Sequence, residues 1–264
     1  MTGQVVAITN QKGGVGKTTT SINLAAALAG LGDRVLLVDL DPQGNATTGS
    51  GVEKRALEYT LCDALLDPER SFEAIVQSTQ GGYDLLPANG DLVAAEVGLL
   101  ERAGRERQLK RVLESAPEPY QWVMIDCPPA LSLLTVNALV ASTGVLIPMQ
   151  CEFYALEGLS ALLETLEGVR EHSNPSLEIL GLLRTMYDPR NGLTRDVSRQ
   201  LLSHFGDRVF RTVIPRNIRL AEAPSHGLPA VAYDRLSRGA VAYEALAHEL
   251  RRRQSRPPEE PAHP

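Results

Sequence analysis

The chain has few of the residues that mark disulfide-rich or membrane proteins. Its 264 residues include only three cysteines, and no apolar run approaches the roughly 18 residues that a membrane span needs. Cys62, Cys127 and Cys151 are widely separated, without a C-x-x-C motif or a histidine at metal-ligand spacing. We therefore expect reduced, mostly buried thiols in a cytoplasmic protein without a membrane anchor.

Basic residues are outnumbered by acidic ones overall, but they are unevenly distributed. The formal net charge is −6, so no global basic field attracts nucleic acid. Residues 184–219 nevertheless contain eight arginines and three acids, a local net charge of +5. Such a patch can bind a phosphate backbone even on an acidic protein. The alternative is that these arginines pair with scattered carboxylates on a solvated surface.

Segments with the character of strands and helices alternate along the chain. Strands are predicted at residues 4–9, 34–39, 83–87, 121–126, 144–149, 178–185 and 209–214. Helices are predicted at about 17–31, 59–67, 91–115, 131–142, 155–172, 193–206 and 239–253. The alternation indicates one α/β domain, residues 1–253, whose mainly parallel, twisted sheet has helices on both faces. Residues 254–264 have no large apolar side chain and are predicted to be a disordered tail.

A glycine-rich loop lies between the first strand and the first helix. It reads Lys12-Gly13-Gly14-Val15-Gly16-Lys17-Thr18. Glycines let successive backbone N–H groups face a polyphosphate, and the helix N-terminus adds further donors. Lys17 can reach the β- and γ-phosphates, and the Thr18 hydroxyl can bind Mg²⁺. Gln11 stands where the strict phosphate-loop pattern has its first glycine, and Lys12 adds a second lysine.

Three acids end two apolar strands downstream of this loop. Asp39 and Asp41 lie at the end of the apolar strand that begins at Val35. They are two residues apart, so both side chains point to one side while the chain is extended. One can hold a Mg²⁺-bound water and the other can orient an attacking water. The alternative is that a strand-end acid caps a turn. Asp126 ends the strand that begins at Trp122, as the magnesium-binding acid of a Walker B motif does.

Together these motifs resemble those of a known family. Residues 12–18, 39–44 and 125–129 are similar to the deviant Walker A, A′ and B motifs of the ParA/Soj partitioning ATPases, P-loop relatives of MinD. Residues 214–225 resemble the late segment of that family, which closes over the adenine. The similarity extends from about Val5 to about Leu250.

The resemblance implies a nucleotide-sandwich homodimer that binds ATP and Mg²⁺. The implied ATP-binding residues are Lys12, Gly13, Gly14, Val15, Gly16, Lys17, Thr18, Thr19, Pro215 and Asn217, and the implied metal site is Thr18, Asp39 and Asp126. Lys12 would act in trans on the other subunit's phosphates, and Lys17 and Asp41 would complete the catalytic set. In such a dimer Asp41 positions the attacking water, and Pro215 and Asn217 contact the adenine.

The resemblance also implies macromolecular partners. Arg190 and Arg219 would belong to a surface for nonspecific double-stranded DNA, although Arg190 can equally be an ordinary exposed loop arginine. A ParB/Spo0J-type centromere-binding protein would stimulate hydrolysis, and the protein would be cytoplasmic and associated with the nucleoid. Glu152 is a further candidate acid at the dimer interface.

Two alternatives to a partitioning ATPase remain. MinD-like positioning ATPases share the same site but end in a basic amphipathic helix that inserts into lipid. Here no large apolar residue follows Leu250, which disfavours membrane attachment. The second alternative is a nucleotide-gated regulatory switch that acts without significant hydrolysis.

Overall fold

Eight strands form one sheet in the computed structural model, which describes residues 3–67 and 69–254. The strands are β1 (Gln4–Ile8), β2 (Val35–Asp39), β3 (Gln77–Ser78), β4 (Asp84–Leu86), β5 (Trp122–Asp126), β6 (Gly144–Gln150), β7 (Glu178–Tyr187) and β8 (Val209–Pro215). Their order is β3-β4-β2-β5-β1-β6-β7-β8, and only β3 and β4 pair antiparallel. The prediction of a mainly parallel sheet is confirmed.

Helices cover both faces of this sheet. The described residues form α1 (Lys17–Gly30), α2 (Asn45–Gly49), α3 (Leu61–Leu66), α4 (Leu92–Leu99), α5 (Gln108–Glu114), α6 (Leu133–Ala141), α7 (Ala155–His172), α8 (Gly192–Phe205), α9 (Ile218–Glu222), α10 (Ala230–Tyr233) and α11 (Arg238–Gln254). Helices α3 to α8 pack on one face, and α1, α2 and α9 to α11 pack on the other. Within the described ranges, no helix has the length and apolarity to cross a membrane.

The central strands supply both apolar layers because successive side chains of a strand point to opposite faces. In β1, Val5 and Ala7 join one buried cluster, and Val6 and Ile8 join the other. Every residue of β2 and β5 is buried. This burial on both faces explains why these strands read as continuous apolar runs rather than as alternating ones.

The register of the central strands aligns the predicted site residues. Asp126, at the end of β5, lies beside Ile8 of β1 and beside Asp39 of β2. The phosphate loop starts directly after β1. The loop and the two acids therefore meet at the carboxyl edge of the sheet, where parallel α/β sheets bind their ligands.

The helix predicted at 91–115 is wrong, because the structure has two helices there. Between α4 and α5 the chain turns at Gly104, whose φ of 65° is left-handed, and then forms a short 3-10 helix, Arg105–Arg107. The side chain of Asn137 in α6 accepts a hydrogen bond from the Leu109 backbone N–H at 3.1 Å, near the start of α5. The sequence prediction also omitted β3, α2, α9 and α10.

Two glycines allow distant loops to meet backbone to backbone. Gly51 and Gly227 have φ values of 83° and 64°, and a Cβ on Gly227 would lie 2.5 Å from the Gly51 Cα. This crossing joins the segment after α2 to the segment before α10. The predicted tail falls mostly on residues 255–264, which lie outside the described residues, whereas Gln254 is the last residue of α11.

Candidate nucleotide-binding site

The phosphate loop is anchored by strands on one side. The Thr185 hydroxyl at the end of β7 donates to the Val15 carbonyl at 2.8 Å, and the Gln150 amide of β6 donates to the Gly14 carbonyl at 3.3 Å. Gly14 and Gly16 have φ values of 73° and 88°, which side-chain-bearing residues rarely adopt. The loop is therefore held in a conformation that depends on these glycines.

Helix α1 begins at Lys17 without a capping side chain, so its first N–H groups have no side-chain acceptor among the described residues. Such a helix start binds anions well. The Lys17 side chain is 7% exposed, and its ammonium donates to the Lys12 carbonyl at 3.1 Å. Burial lowers the pKa of Lys17, although the neighbouring acids, Asp126 before Asp41, act in the opposite direction.

Asp126 is fully buried beside this lysine and beside Asp39. One oxygen, Oδ1, accepts a hydrogen bond from the Ser21 hydroxyl at 2.9 Å. The other, Oδ2, is buried without a hydrogen-bond partner among the described residues. Burial raises the pKa of Asp126, the charge of Asp39 raises it further, and the nearby Thr18 and Ser21 hydroxyls lower it.

Asp39 is equally buried, but its carboxylate already has partners. The backbone N–H and the hydroxyl of Thr47, in α2, each donate to Oδ2 at 2.7 Å, and the Asp41 N–H approaches Oδ1 at 3.3 Å. Burial raises the pKa of Asp39, although these hydrogen bonds lower it. Asp39 therefore holds the turn that leads into α2, which is the structural role that the sequence left open.

The residues at this edge fit a Mg²⁺ ion that shares its ligands with a nucleotide. A buried carboxylate oxygen without a partner and a nearby threonine hydroxyl are the oxygen donors that Mg²⁺ uses. In the described part of the chain, no three His, Cys, Asp or Glu side chains come together as a metal site. Such a Mg²⁺ would then take its remaining ligands from water and substrate phosphates, as it commonly does.

A cleft of about 660 Å³ opens at this edge, and the fully buried Asp39 and Asp126 are not among the residues that line it. It is lined by seven predicted site residues, namely Gly13, Gly14, Gly16, Lys17, Thr18, Thr19 and Asp41. Val15 is buried and does not line the cleft. Asp41 is half-buried, and its Oδ1 accepts a hydrogen bond from the Gln43 N–H at 2.9 Å.

Lys12 is not among the residues that line this cleft. Its ammonium pairs with the Glu152 carboxylate at 2.5 Å, and its backbone N–H donates to the Asn10 side chain at 2.9 Å. The Asn10 amide in turn donates to the Pro148 carbonyl of β6 at 2.8 Å. The second lysine of the loop is therefore held beside the segment that follows β6, whereas Lys17 lines the cleft.

Pro215 and Asn217 also lie outside the lining of the cleft. Pro215 ends β8, opposite Tyr187 of β7. The Asn217 side chain caps α9 by accepting a hydrogen bond from the Arg219 N–H at 2.9 Å. Both residues are at the carboxyl edge, where β6 and β7 lie between β8 and β1, and their contact with adenine stays a prediction.

The predicted DNA-binding arginines are exposed and have acidic partners. Arg190 is 89% exposed and pairs with Asp188 at 2.8 Å. Arg219 pairs with Glu222 at 2.8 Å and with Asp234 at 3.2 Å. Charge pairing on a solvated surface was the alternative reading of this segment, and the structure contains such pairs. Binding of DNA by either arginine stays a prediction.

One arginine of the basic window is not on the surface. Arg184 is 7% exposed and donates to the Ser198 hydroxyl at 2.8 Å and to the Phe210 carbonyl at 2.9 Å. It ties β7 to α8 and β8. The count of eight arginines between residues 184 and 219 therefore overstates the charge that a DNA backbone can reach.

Sequence reasoning missed four side chains that shape this site. Gln150 and Thr185 hold the phosphate loop, Ser21 holds Asp126, and Thr47 holds Asp39. Ser21 carries a local signal, because it follows Lys17 by one helical turn and so shares its side of α1. The other three reach the site through tertiary packing, which no sequence spacing indicates.

Comparisons with known proteins agree with this geometry. The sequence model of a family described as "AAA domain" matches residues 3–179. The chain is 53% identical over 248 residues to the sporulation initiation inhibitor protein Soj of Bacillus subtilis, covering 94% of this chain and 98% of that protein. It is 50% identical over 249 residues to the chromosome partitioning protein ParA of Caulobacter vibrioides, covering 94% and 93%.

A solved structure extends the likeness to three dimensions. It is described as cobyrinic acid a,c-diamide synthase from Mycobacterium smegmatis with bound ADP and magnesium. The TM-score is 0.84 at 41% sequence identity, with 96% of each chain covered. Because nearly the whole of each chain is matched, this is a likeness of the α/β unit as a whole.

Proposed function

The chain belongs to the ParA/Soj family of partitioning ATPases, and we propose that it uses Mg·ATP to form a homodimer that binds nonspecific DNA. The observation that carries this proposal is the unpartnered, buried Asp126 oxygen next to Lys17 and Thr18, which line the cleft. The relatives named for chromosome partitioning are more similar in sequence than the structure named for diamide synthesis. The proposal therefore follows the former.

The chain's own residues divide the work of hydrolysis. Lys17 and the first N–H groups of α1 would bind the phosphates, and Thr18 and Asp126 would hold Mg²⁺, with Asp39 acting through water. When bound, Mg²⁺ neutralises charge on the phosphates. Asp41 would accept a hydrogen bond from the attacking water and so orient it, a role that matters more to the transition state than to ground-state binding.

Lys12 would complete the site from the other subunit. Its ammonium is held beside Glu152 rather than in its own cleft, which supports a role outside that cleft. A cation supplied in trans to the transferring phosphoryl group is worth on the order of 10³–10⁵ in rate in other NTPases. The proposal is that each ATP lies between two subunits and receives one Lys12 from across the interface.

Dimerisation would also create the DNA-binding surface. Arg190 and Arg219 lie on segments that follow β7 and β8 at the carboxyl edge. Two modest patches on one dimer gain through effective concentration what neither holds alone. ATP would therefore promote DNA retention, and hydrolysis stimulated by a ParB/Spo0J-type partner would release the dimer in the cytoplasm.

The decisive experiment measures phosphate release with DNA and the ParB-type partner, each added alone and together. We expect slow hydrolysis by the chain alone and the fastest hydrolysis with both present. ATP-dependent DNA binding without stimulated turnover would instead support a nucleotide-gated switch. Vesicle binding that depends on ATP would support a MinD-like role.

The Lys12→Ala variant separates the trans-acting lysine from an ordinary loop lysine. We expect the monomer to keep its ATP affinity, and the variant to lose both the ATP-dependent dimer and stimulated hydrolysis. Lys110→Ala is the matched control, because Lys110 is an exposed lysine on α5, in the other helical layer. A Lys12→Ala dimer of normal stability in sedimentation runs would contradict the trans role.

A further inference from the structure

The chain segment that leaves β6 runs along the phosphate loop. The Gln150 amide donates to the Gly14 carbonyl at 3.3 Å, and two residues later the Glu152 carboxylate pairs with the Lys12 ammonium at 2.5 Å. The Glu152 N–H donates to the Gln150 carbonyl at 2.9 Å, so the chain turns tightly at Cys151, and both side chains contact the loop. Glu152 is thus the acid that determines where the second lysine points.

The Lys12–Glu152 pair is strong enough to position the lysine and weak enough to open. The two side chains are 42% and 50% exposed. Exposed ion pairs of this kind contribute little to stability and exchange readily with other ions. A nucleotide phosphate carries more negative charge than one carboxylate, and it can therefore compete for the ammonium.

On the premise of the proposed function, we propose that Glu152 is a positioning residue that restrains Lys12 in the free subunit and so sets the threshold that the bound nucleotide must exceed for the dimer to form. In the free subunit it holds Lys12 beside the segment that follows β6. When two subunits meet, each Lys12 must leave its Glu152 to reach the nucleotide of the other. The dimer therefore forms only when the phosphates attract Lys12 more strongly than Glu152 does. ATP meets this requirement, and ADP, which lacks the γ-phosphate, does not.

The test is Glu152→Gln, which keeps the shape of the side chain and removes its charge. Two ion pairs open per dimer, and exposed pairs are each worth about 0.2–1 kcal/mol, so we expect the dissociation constant of the ATP dimer to fall by about 2- to 30-fold. The dissociation constant of the ADP dimer should fall by the same factor. The Lys12–Glu152 pair must open in each free subunit, and the cost of opening it is the same with either nucleotide. The gain should appear in the association rate, since the pair exists only in the free subunit.

Glu118→Gln is the matched control. Glu118 also forms an exposed ion pair, with Arg34, but at the opposite edge of the sheet, just before β5. This variant changes the net charge equally and should leave the dimer dissociation constant unchanged. Calorimetric titration of the Glu152→Gln monomer with ATP should give the wild-type affinity, which verifies that the loop is intact.

The outcomes distinguish this inference from the proposed function. A wild-type chain that stays monomeric with ATP would overturn both. If the wild type dimerises with ATP and Glu152→Gln does not tighten the dimer, only the role of Glu152 is overturned. A weaker Glu152→Gln dimer would mean that Glu152 contributes directly to the interface, which also contradicts the inference. If Glu118→Gln tightened the dimer equally, the effect would come from the change in net charge alone, which would also contradict the inference.

Discussion

Replacing Asp126 by asparagine should make the protein more stable without Mg·ATP and unresponsive to it. The Asp126 carboxylate is fully buried, its Oδ2 has no hydrogen-bond partner within the described residues, and Asp39 is its neighbour across the strands. The folded chain must therefore either keep a charge in this place or bind a proton there. Both alternatives cost free energy in the absence of a cation.

The magnitude follows from the unpartnered oxygen. A buried polar group without a partner costs about 1–3 kcal/mol. The isosteric amide of Asp126→Asn can keep the hydrogen bond from Ser21 on its oxygen and offers an N–H donor beside Asp39. We expect the free energy of unfolding without Mg²⁺ to rise by about 1–3 kcal/mol. For a chain of this size, each kcal/mol raises the melting temperature by roughly 2–4 °C.

The same carboxyl group makes stability depend on pH. Its pKa is raised in the folded state, by burial first and by Asp39 second. A group of this kind binds its proton more tightly when folded, so stability falls as pH rises from about 4, the ordinary carboxyl value, through the raised pKa. The wild type should lose stability over this range in the absence of Mg²⁺. Asp126→Asn should lose less of it.

Thermal unfolding in EDTA and in excess Mg·ATP, at about pH 5 and about pH 8, measures both effects. The wild type should gain stability with Mg·ATP, and the variant should gain little. Asp196→Asn is the control, because Asp196 is an exposed acid in α8. An Asp126→Asn melting temperature below that of the wild type in EDTA at the higher pH would refute the reasoning.

Three further substitutions test the remaining roles. Lys17→Ala should weaken ATP binding by at least about 10-fold in a calorimetric titration, because it removes a charged hydrogen bond to the phosphates; an affinity close to that of the wild type would contradict its assignment. Asp41→Ala should keep ATP binding and dimerisation but slow stimulated hydrolysis by about 10²- to 10⁴-fold and trap a DNA-bound dimer; turnover at the wild-type rate would shift the role to Asp39. Arg219→Ala, alone and with Arg190→Ala, should weaken DNA binding equally across sequences and lower the log–log salt slope by about 0.9 for each lost phosphate contact. Alanine is the first choice here because Arg219→Glu would place like charges beside the acids that Arg219 now pairs with; DNA retention at low salt by the double variant would exclude this surface.

The sequence predicted those parts of the site that depend on chain order. An apolar strand, a glycine loop and a helix in succession predict where Lys17 and Thr18 lie. The helix that follows a parallel strand begins at the carboxyl edge of the sheet, so the first residues of the helix must lie there. Strands that end in Asp39 and Asp126 bring both acids to the same edge for the same reason. The structure agrees with these placements.

Other parts depended on contacts that chain order does not reveal. The apolar residues of 91–115 predicted one long helix, but Val93 and Val97 are exposed on α4 and the chain turns at Gly104. Helix α2 is too short to show periodicity, and Asp39 holds it through Thr47. Charge counting likewise included Arg184 in a surface patch, because sequence alone does not separate a buried arginine from an exposed one.

The placement of β7 has a consequence for how far the chain can be shortened. The matched family model ends at residue 179, within the first two residues of β7. In a fragment that stopped there, β6 would become an edge strand with unpaired backbone groups. The fragment would also lack α11, which packs against α1. It would also remove Thr185, which holds the phosphate loop from β7. The last third of the chain is thus part of the nucleotide site's own scaffold, and a minimal ATP-binding fragment has to include it.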